Sequence, residues 1–280
     1  MAGFLEKLER ACRANQSLLC VGLDPVPERM PVTGIYEFNR QIIEATQDLV
    51  CAYKPNLAFY EAQGLEGLRA LEKTLAAIPS HIPVIGDAKR GDIGPTAVAY
   101  AKAMYEVWGF DATTVNPYLG QDAVEPFLAY RDRGVFLVCR TSNPGAREFQ
   151  DLTGSPPFGG DPRPLYEWVA LKAMTWNGAG NVGLVVGATY PDELTSLRDM
   201  CPDMPFLIPG LGPQGGDLER SVRSGVDGRG LGAVINASRQ VLYASADPRG
   251  FAEAARAVAQ DIRGQMVQVL REMEAPWLSS

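Results

Sequence analysis

The sequence predicts an α/β protein that forms a single (β/α)8 TIM barrel with an N-terminal helix, and three observations support this. Short apolar runs alternate with longer segments of helical period, which is the pattern of parallel strands joined by crossover helices. Eight such runs occur, each hydrophobic along nearly its whole length, as strands covered on both faces are. No linker or shift in composition divides the chain, so we expect one domain over residues 1–280. A doubly wound open sheet fits the same alternation, but such sheets more often have about five to seven strands.

The elements can be assigned in order along the chain. An amphipathic stretch with Phe4, Leu8 and Cys12 on one face predicts the N-terminal helix. Helical segments between the strands include residues 36–49 and 97–107, and a closing helix runs from Phe251 to about Met273. The predicted strands are residues 18–23, 50–54, 84–88, 112–115, 135–139, 182–188, 205–208 and 231–235.

One segment departs from this alternation. Residues 143–164, after the fifth strand, are rich in proline and glycine and predict a long loop insertion. Long loops at the catalytic end of a barrel can act as lids, and they can equally be passive surface insertions. Both interpretations of this loop stay open.

The charge balance limits the classes of partner. With 26 basic and 33 acidic residues the formal net charge is −7, which argues against a broad nucleic-acid footprint or an anionic membrane surface. An anionic ligand must therefore be held by a local positive site. No apolar run is long enough to cross a bilayer, and the first twenty residues lack a signal-peptide core, so we expect a cytoplasmic protein.

Cysteine and histidine usage exclude further classes of site. The five cysteines form no Cys-x-x-Cys pair, and three lie in strand-like runs, so we expect them to be reduced and buried. The only histidine, His81, lies in a proline-bracketed turn. A multi-histidine metal site or a Ser-His-Asp triad would have to be built on this loop residue, so neither is expected.

Polar residues follow the predicted strands at the end where barrels carry their active sites. Asp87 and Lys89 are two residues apart on an extended segment, so their side chains should face the same way. Lys54 could join them from the neighbouring strand, and the turn at Gly91 could bring Asp92 toward a neighbouring site. Such an array would indicate function, whereas an ion pair at the barrel rim would be structural, and the spacing alone does not separate the two. The other candidates are Asp24, Asn116, Ser142, Thr189, residues 209–216, Ser238 and Arg239.

Several motifs resemble those of the orotidine 5′-phosphate decarboxylase family, in particular its larger bacterial branch. The most specific is Asp-Ala-Lys-Arg-Gly-Asp-Ile-Gly at 87–94. Others occur in the family's order and together span residues 22 to 239. They are Gly-Leu-Asp at 22–24, Tyr-Lys-Pro-Asn at 53–56, Ser-Asn-Pro-Gly-Ala at 142–146, Pro-Gly-Leu-Gly-Pro-Gln-Gly-Gly at 209–216 and Ser-Arg at 238–239.

The resemblance implies a lyase that decarboxylates orotidine 5′-phosphate to uridine 5′-phosphate and CO₂, the last step of de novo pyrimidine synthesis, with no metal or cofactor. Lys89 would be the general acid, with Asp87 and Lys54 completing the array in one subunit. It further implies a homodimer in which Asp92, Ile93 and Thr96 act in the partner's site. Substrate would be bound by Asp24 at the ribose, Ser142 at the base edge, Gln214 between phosphate and pyrimidine, and Pro209, Gly215 and Arg239 at the phosphate.

Three other functions remain in view. Residues 210–215 satisfy Gly-x-Gly-x-x-Gly, which would suit a nicotinamide dehydrogenase, although only one further strand-helix unit follows the motif. A metal-assisted phosphosugar lyase or epimerase would resemble this barrel, but those relatives carry an acid where this chain has Lys54, which would repel a cation. A non-catalytic phosphometabolite binder would not require the full charged array.

Overall fold

The computed structural model describes residues 3–155, 161–211 and 217–278. Within these ranges eight parallel strands form one sheet, and each of the eight predicted apolar runs supplies one of them. The strands are β1 Leu19–Leu23, β2 Ala52–Pro55, β3 Ile85–Arg90, β4 Ala112–Val115, β5 Gly134–Arg140, β6 Val182–Val186, β7 Phe206–Pro209 and β8 Ala233–Ala237.

The sheet closes on itself. Its order is β2-β1-β8-β7-β6-β5-β4-β3, and parallel bridges from Tyr53 to Val84 and from Asn56 to Asp87 join the two ends. The predicted barrel and the predicted N-terminal helix are therefore confirmed. In a closed parallel barrel the carboxyl ends of all strands meet at one mouth, where the loops that follow them can build a site.

Helices alternate with the strands and cover the outside of the barrel. None in the described ranges combines the length and apolar character needed to cross a bilayer. They are α1 Phe4–Asn15, α2 Ile35–Thr46, α3 Leu57–Glu61, α4 Gly64–Ala77, α5 Gly94–Lys102, α6 Gln121–Leu128, α7 Arg147–Gln150, α8 Leu165–Trp176, α9 Pro191–Met200, α10 Leu218–Gly225, α11 Arg239–Leu242 and α12 Phe251–Glu272.

Helix α1 packs at the amino-terminal ends of β4 and β5, opposite the mouth that carries the charged residues. Phe4 lies edge-on to Phe136, with ring centroids 5.8 Å apart. A Cβ on Gly134 would lie 2.3 Å from the Phe4 ring, so glycine is needed for this close approach. Lys7 and Asp111 form a 2.8 Å ion pair beside it. The helix therefore helps to close the far end of the barrel.

The ends of some elements differ from the predicted ones. The eighth strand begins at Ala233 instead of residue 231, because Gly230 and Gly232 have positive φ angles of 75° and 76° that interrupt an extended chain. The predicted helix 97–107 begins at Gly94, where Pro95 fits the first turn, and continues as a π-helical turn over Ala103–Val107. These shifts leave the assignment of each element unchanged.

The segment 143–164 has local structure in its described part. It contains a 3₁₀ turn over Pro144–Ala146, helix α7, and an antiparallel pairing of Thr153–Gly154 with Arg163–Pro164. Buried Arg140 at the end of β5 forms a 2.7 Å ion pair with Asp151, which attaches α7 to the barrel. All five cysteines are buried and free of disulfides, as expected.

Candidate active site

The centre of the site is a carboxylate with two ammonium groups at the mouth of the barrel. Lys54 is the last residue but one of β2, and Asp87 lies on the neighbouring strand β3. The Nζ atom of Lys54 is 2.8 Å from Oδ2 of Asp87. The Nζ atom of Lys89 donates to the other oxygen, Oδ1, at 2.6 Å. Lys54 and Asp87 are only 3% and 7% exposed, whereas the Lys89 side chain is 48% exposed. The structure thus gives one buried ion pair and one amine that reaches the open mouth.

The backbone that carries Lys89 is unusual. The predicted same-face placement of Asp87 and Lys89 is confirmed, but an extended strand is not the cause. The pairing of β3 with β4 shifts register between Gly86 and Arg90, and Lys89 has a φ angle of 46° in the left-handed region. A side chain with a Cβ adopts this region at a cost in energy, and such residues cluster at functional sites.

Thr114 of β4 supports this bulge, and sequence reasoning missed it. Its hydroxyl accepts hydrogen bonds from the N–H groups of Ala88 at 3.0 Å and Lys89 at 2.9 Å. The same hydroxyl donates to Oδ1 of Asp87 at 3.0 Å. Thr114 is 1% exposed. The only signal in the sequence was a hydroxyl inside an apolar run, which β-propensity alone explains.

The mutual electrostatics keep the buried pair ionised. Burial alone would lower the pKa of the Lys54 ammonium, but the charges of Asp87 and Asp24 and the hydrogen bond to Asp87 raise it above its ordinary value. Burial would raise the pKa of the Asp87 carboxyl, but Lys54 and Lys89 hold it well below the usual range. The pair is therefore charged throughout the neutral range.

Asp24 follows β1 and provides an acceptor beside Lys54. Its Oδ1 atom is buried and has no hydrogen-bond partner among the described residues. Its backbone carbonyl is fixed by a 2.9 Å hydrogen bond from the Tyr243 hydroxyl. An unpaired buried carboxylate oxygen is costly unless a ligand pairs with it. The arrangement suits a ligand hydroxyl as the missing donor.

Ser142 and Pro209 lie together on the opposite side of the mouth. A Cβ on Gly187 would lie 3.0 Å from the Ser142 side chain, so glycine permits this close approach. Gly210 lies 3.6 Å from Ser142 by the same measure, which is ordinary contact, and there the φ angle of 108° favours glycine. The carbonyl of Pro209 accepts from the N–H of Ala188 at 2.9 Å. Gln214 and Gly215, which we expected at the phosphate, lie outside the described residues.

Arg239 begins helix α11 just past β8, with its side chain exposed and without an ion pair in the described ranges. Ser238, which precedes it, accepts a 3.1 Å hydrogen bond from the Nδ2 atom of Asn236. A Cβ on Gly22 would lie 1.9 Å from the Ser238 hydroxyl oxygen, so β1 needs glycine there. Asn236, which orients the Ser238 hydroxyl from the end of β8, was not singled out in the sequence.

Asp92, Ile93 and Thr96 are not brought into the array of their own chain. Oδ1 of Asp92 accepts from the N–H of Ile93 at 2.8 Å, and in the described parts of the chain Asp92 forms no ion pair with Lys89. Ile93 is 57% exposed, and Thr96 is exposed as well. Of the four charged residues expected in the array, Lys54, Asp87 and Lys89 are therefore in contact within one chain, and Asp92 is not.

The geometry weighs against two of the alternative functions. A dinucleotide-binding fold needs an open, doubly wound sheet, and here the sheet is a closed barrel. A metal-assisted lyase needs acidic ligands at the mouth, but the end of β2 carries the buried ammonium of Lys54. Over residues 3–155, 161–211 and 217–278, no three His, Cys, Asp or Glu side chains are grouped as a metal site requires.

Comparison with known proteins gives a consistent result. Residues 17–255 match the Orotidine 5′-phosphate decarboxylase / HUMPS family. The chain is 54% identical over 277 residues to the orotidine 5′-phosphate decarboxylase of Thermomicrobium roseum, covering 96% of this chain and 97% of that protein. It is 51% identical to that of Herpetosiphon aurantiacus, over 92% of this chain and 95% of that one.

A solved structure agrees with these matches. The Leishmania donovani OMP decarboxylase superposes with a TM-score of 0.80 at 42% identity, over 94% of this chain and 99% of that chain. The family match spans most of the sequence, and the relatives align along nearly their full length. The chain therefore belongs to the Orotidine 5′-phosphate decarboxylase / HUMPS family.

Proposed function

We propose that this protein is a carboxy-lyase that converts orotidine 5′-phosphate to uridine 5′-phosphate and CO₂, the last step of de novo pyrimidine nucleotide synthesis. The observation that carries the proposal is the Lys54–Asp87–Lys89 array, in which an ammonium stands at the open mouth of the barrel. The relatives at 51% to 54% identity are orotidine 5′-phosphate decarboxylases, which supports the same reaction.

The chemistry requires a positive charge near the reacting carbon. Loss of CO₂ from C6 of the pyrimidine leaves a carbanion on an sp² carbon that ordinary resonance does not stabilise. A preorganised ammonium can stabilise this charge in a water-poor site. Lys89 then donates the proton that gives uridine 5′-phosphate, as a general acid. Its half-exposed amine is the member of the array that a ligand at the mouth can reach.

Asp87 and Lys54 hold that amine in place. Asp87 accepts hydrogen bonds from both lysines and fixes the direction of Lys89, while Lys54 compensates the buried carboxylate. Asp87 would also lie close to the substrate carboxylate and repel it in the ground state. We propose that Lys54 also contacts the ribose.

The remaining substrate contacts lie around the same mouth. Asp24, with its unpaired Oδ1, accepts from a ribose hydroxyl. Ser142 binds the base edge beside Gly210. Arg239 holds the phosphate with two parallel hydrogen bonds, and Pro209, Gln214 and Gly215 complete the phosphate site. Phosphate binding would supply energy that positions the pyrimidine over Lys89.

The working unit we propose is a homodimer with shared sites. Ile93, Val98, Tyr118 and Leu119 are 46% to 79% exposed, and they follow β3 and β4 at the same mouth. Large apolar side chains exposed together are typical of a protein interface. In the dimer Asp92, Ile93 and Thr96 enter the partner's site. We further propose that residues 1–280 form one domain and that the protein is cytoplasmic, which its five free cysteines would suit.

The test follows the loss of ultraviolet absorbance of orotidine 5′-phosphate with purified protein and no added metal. We expect turnover that a strong chelator leaves unchanged. A rate that falls with chelator and returns with Mg²⁺ would contradict the cofactor-free mechanism. A complete lack of turnover by the wild-type protein would instead favour a non-catalytic phosphometabolite binder.

A further inference from the structure

We propose that Thr114 is a positioning residue for the decarboxylation, whose hydroxyl holds the strained backbone of Lys89 and the carboxylate of Asp87 in a single arrangement. The inference rests on the proposed function. It assigns Thr114 no contact with the substrate. The role of Thr114 is to fix the direction from which the Lys89 amine approaches the reacting carbon.

The hydroxyl of Thr114 uses its complete hydrogen-bonding capacity. A hydroxyl has one donor and two acceptor lone pairs. The donor goes to Oδ1 of Asp87 at 3.0 Å, and the acceptors take the N–H groups of Ala88 at 3.0 Å and Lys89 at 2.9 Å. At 1% exposure the side chain is closed to solvent. A substitution that removes the oxygen therefore takes the acceptor from the N–H groups of Ala88 and Lys89 and leaves Oδ1 of Asp87 with Lys89 as its donor.

These bonds lie where the regular pairing of β3 and β4 is interrupted. Gly86 pairs with Thr113, and regular pairing resumes only at Arg90 with Val115. Between them Lys89 adopts a φ angle of 46°. The Thr114 oxygen receives the two N–H groups at this bulge, so it stabilises the left-handed conformation that directs the Lys89 side chain back to Asp87.

One carboxylate oxygen of Asp87 accepts hydrogen bonds from both Thr114 and Lys89. Oδ1 accepts from Thr114 at 3.0 Å and from Lys89 at 2.6 Å, whereas Oδ2 accepts from Lys54 at 2.8 Å. Loss of the Thr114 hydroxyl thus loosens the Lys89 side of the array and leaves the Lys54 side intact. We therefore expect a defect in the chemical step, with substrate binding on other strands retained.

Thr113 provides a matched control within the same strand. It is fully buried and donates one 2.8 Å hydrogen bond to the carbonyl of Gly86. Successive side chains of a strand face opposite sides, so Thr113 points away from the array. Thr113→Val removes a buried hydroxyl as Thr114→Val does, without touching Asp87 or the Lys89 backbone.

The first experiment measures kcat and KM for orotidine 5′-phosphate in Thr114→Val, Thr114→Ser and Thr113→Val. We expect Thr114→Val to lower kcat about 10- to 100-fold, as a small misplacement of a reacting group does, with KM within about threefold. Thr114→Ser should recover most of kcat, and Thr113→Val should retain it. A kcat unchanged in Thr114→Val, equal losses in both valine variants, or no recovery with serine would overturn the proposal. If Thr114→Val fails to fold, Thr114→Ala takes its place.

A second readout is independent of the reaction. Reductive methylation of the folded protein, followed by mass spectrometry, reports the reactivity of Lys89 relative to exposed Lys172. We expect Lys89 to react several-fold faster in Thr114→Val and unchanged in Thr113→Val. Equal labelling of Lys89 in wild type and Thr114→Val would contradict the positioning role. If the wild type shows no turnover, the proposed function fails, and the labelling still decides the role of Thr114.

Discussion

Lys89 donates a 2.6 Å hydrogen bond to Asp87 from a backbone that has left the strand geometry, with φ at 46°. If β3 were regular, the side chains of Asp87 and Lys89 would point the same way and lie next to each other. Here the bulge directs the Lys89 amine toward the Asp87 carboxylate. The surrounding contacts stabilise this strained backbone conformation. Such strain is typical of functional sites, where a charged side chain must have a fixed direction.

The ion pair between Lys54 and Asp87 predicts a pH dependence of stability. Since the pKa of folded Asp87 is lowered, its contribution is present above the unfolded value of about 4 and is lost as the pH falls below it. Since the pKa of folded Lys54 is raised, its contribution is present below the unfolded value of about 10.4 and is lost at higher pH. The pair should therefore stabilise the fold between these limits.

Asp87→Asn tests whether the pair stabilises the fold over this pH range. We expect it to lower the free energy of unfolding by about 3–5 kcal/mol at pH 7, because Lys54 keeps its buried charge without its nearest partner. The difference from wild type, measured by denaturant titration, should hold from pH 5 to pH 9 and narrow below about pH 4. Glu66→Gln, which removes an exposed pair with Arg69, should change stability by less than about 0.5 kcal/mol. An equal difference at pH 7 and at pH 3 would refute the pairing.

Gly22 and Ser238 should show a steric coupling. Gly22→Ala places a methyl group 1.9 Å from the Ser238 hydroxyl, next to Arg239, so we expect a loss of about 1–3 kcal/mol in stability and weaker substrate binding. Ser238→Gly in the same chain should restore both. As a contrast, Gly264→Ala in α12 meets nothing within 4 Å and should stabilise the protein by up to about 1 kcal/mol. Additive effects of Gly22→Ala and Ser238→Gly would show that the two residues do not touch.

Arg239→Ala should separate phosphate binding from nucleoside binding. We expect binding of orotidine 5′-phosphate to weaken about 100-fold, since two charge-assisted hydrogen bonds are lost, while binding of the phosphate-free nucleoside changes little. Titration calorimetry measures both. Arg10→Ala on α1, at the other end of the barrel, makes the same change in net charge and should leave both affinities intact. Equal losses for the two ligands would assign Arg239 another role.

Hybrid dimers test the proposed homodimer and its shared sites. Lys89→Ala and Asp92→Ala should each be nearly inactive as homodimers. After the two are unfolded together and refolded at equal amounts, half of the dimers are mixed, and each mixed dimer has one intact site. We therefore expect about a quarter of wild-type activity. If the mixture stays as inactive as its components, Asp92 serves its own subunit.

The eight strands and the polar residues that follow them were predictable, because each strand is an apolar run with a polar residue at its carboxyl end. The sequence alone therefore predicts that Lys54, Asp87 and Lys89 lie at one mouth of the barrel. The bulge at Lys89 was not predictable, since it arises from a register shift against β4. Thr114 was missed for the same reason, because a buried hydroxyl becomes informative only when its partners are known.

The glycines illustrate the same limit. Gly22 belongs to a motif, but its need to be glycine comes from Ser238, which follows β8 and is more than 200 residues away in sequence. Periodicity reports which face of a strand is buried, and it does not report which side chain lies opposite. Long-range contacts of this kind come only from the closed barrel.

The most direct test of the account is decarboxylation of orotidine 5′-phosphate by wild type and Lys89→Ala, assayed without metal, with nucleotide binding measured alongside. Lys89→Ala should lose turnover by at least about 10³-fold while it still binds uridine 5′-phosphate, because in the proposed mechanism the lost ammonium acts on the reacting carbon and Arg239 holds the phosphate. Turnover by Lys89→Ala at near wild-type rate would contradict the claim that this amine carries the reaction.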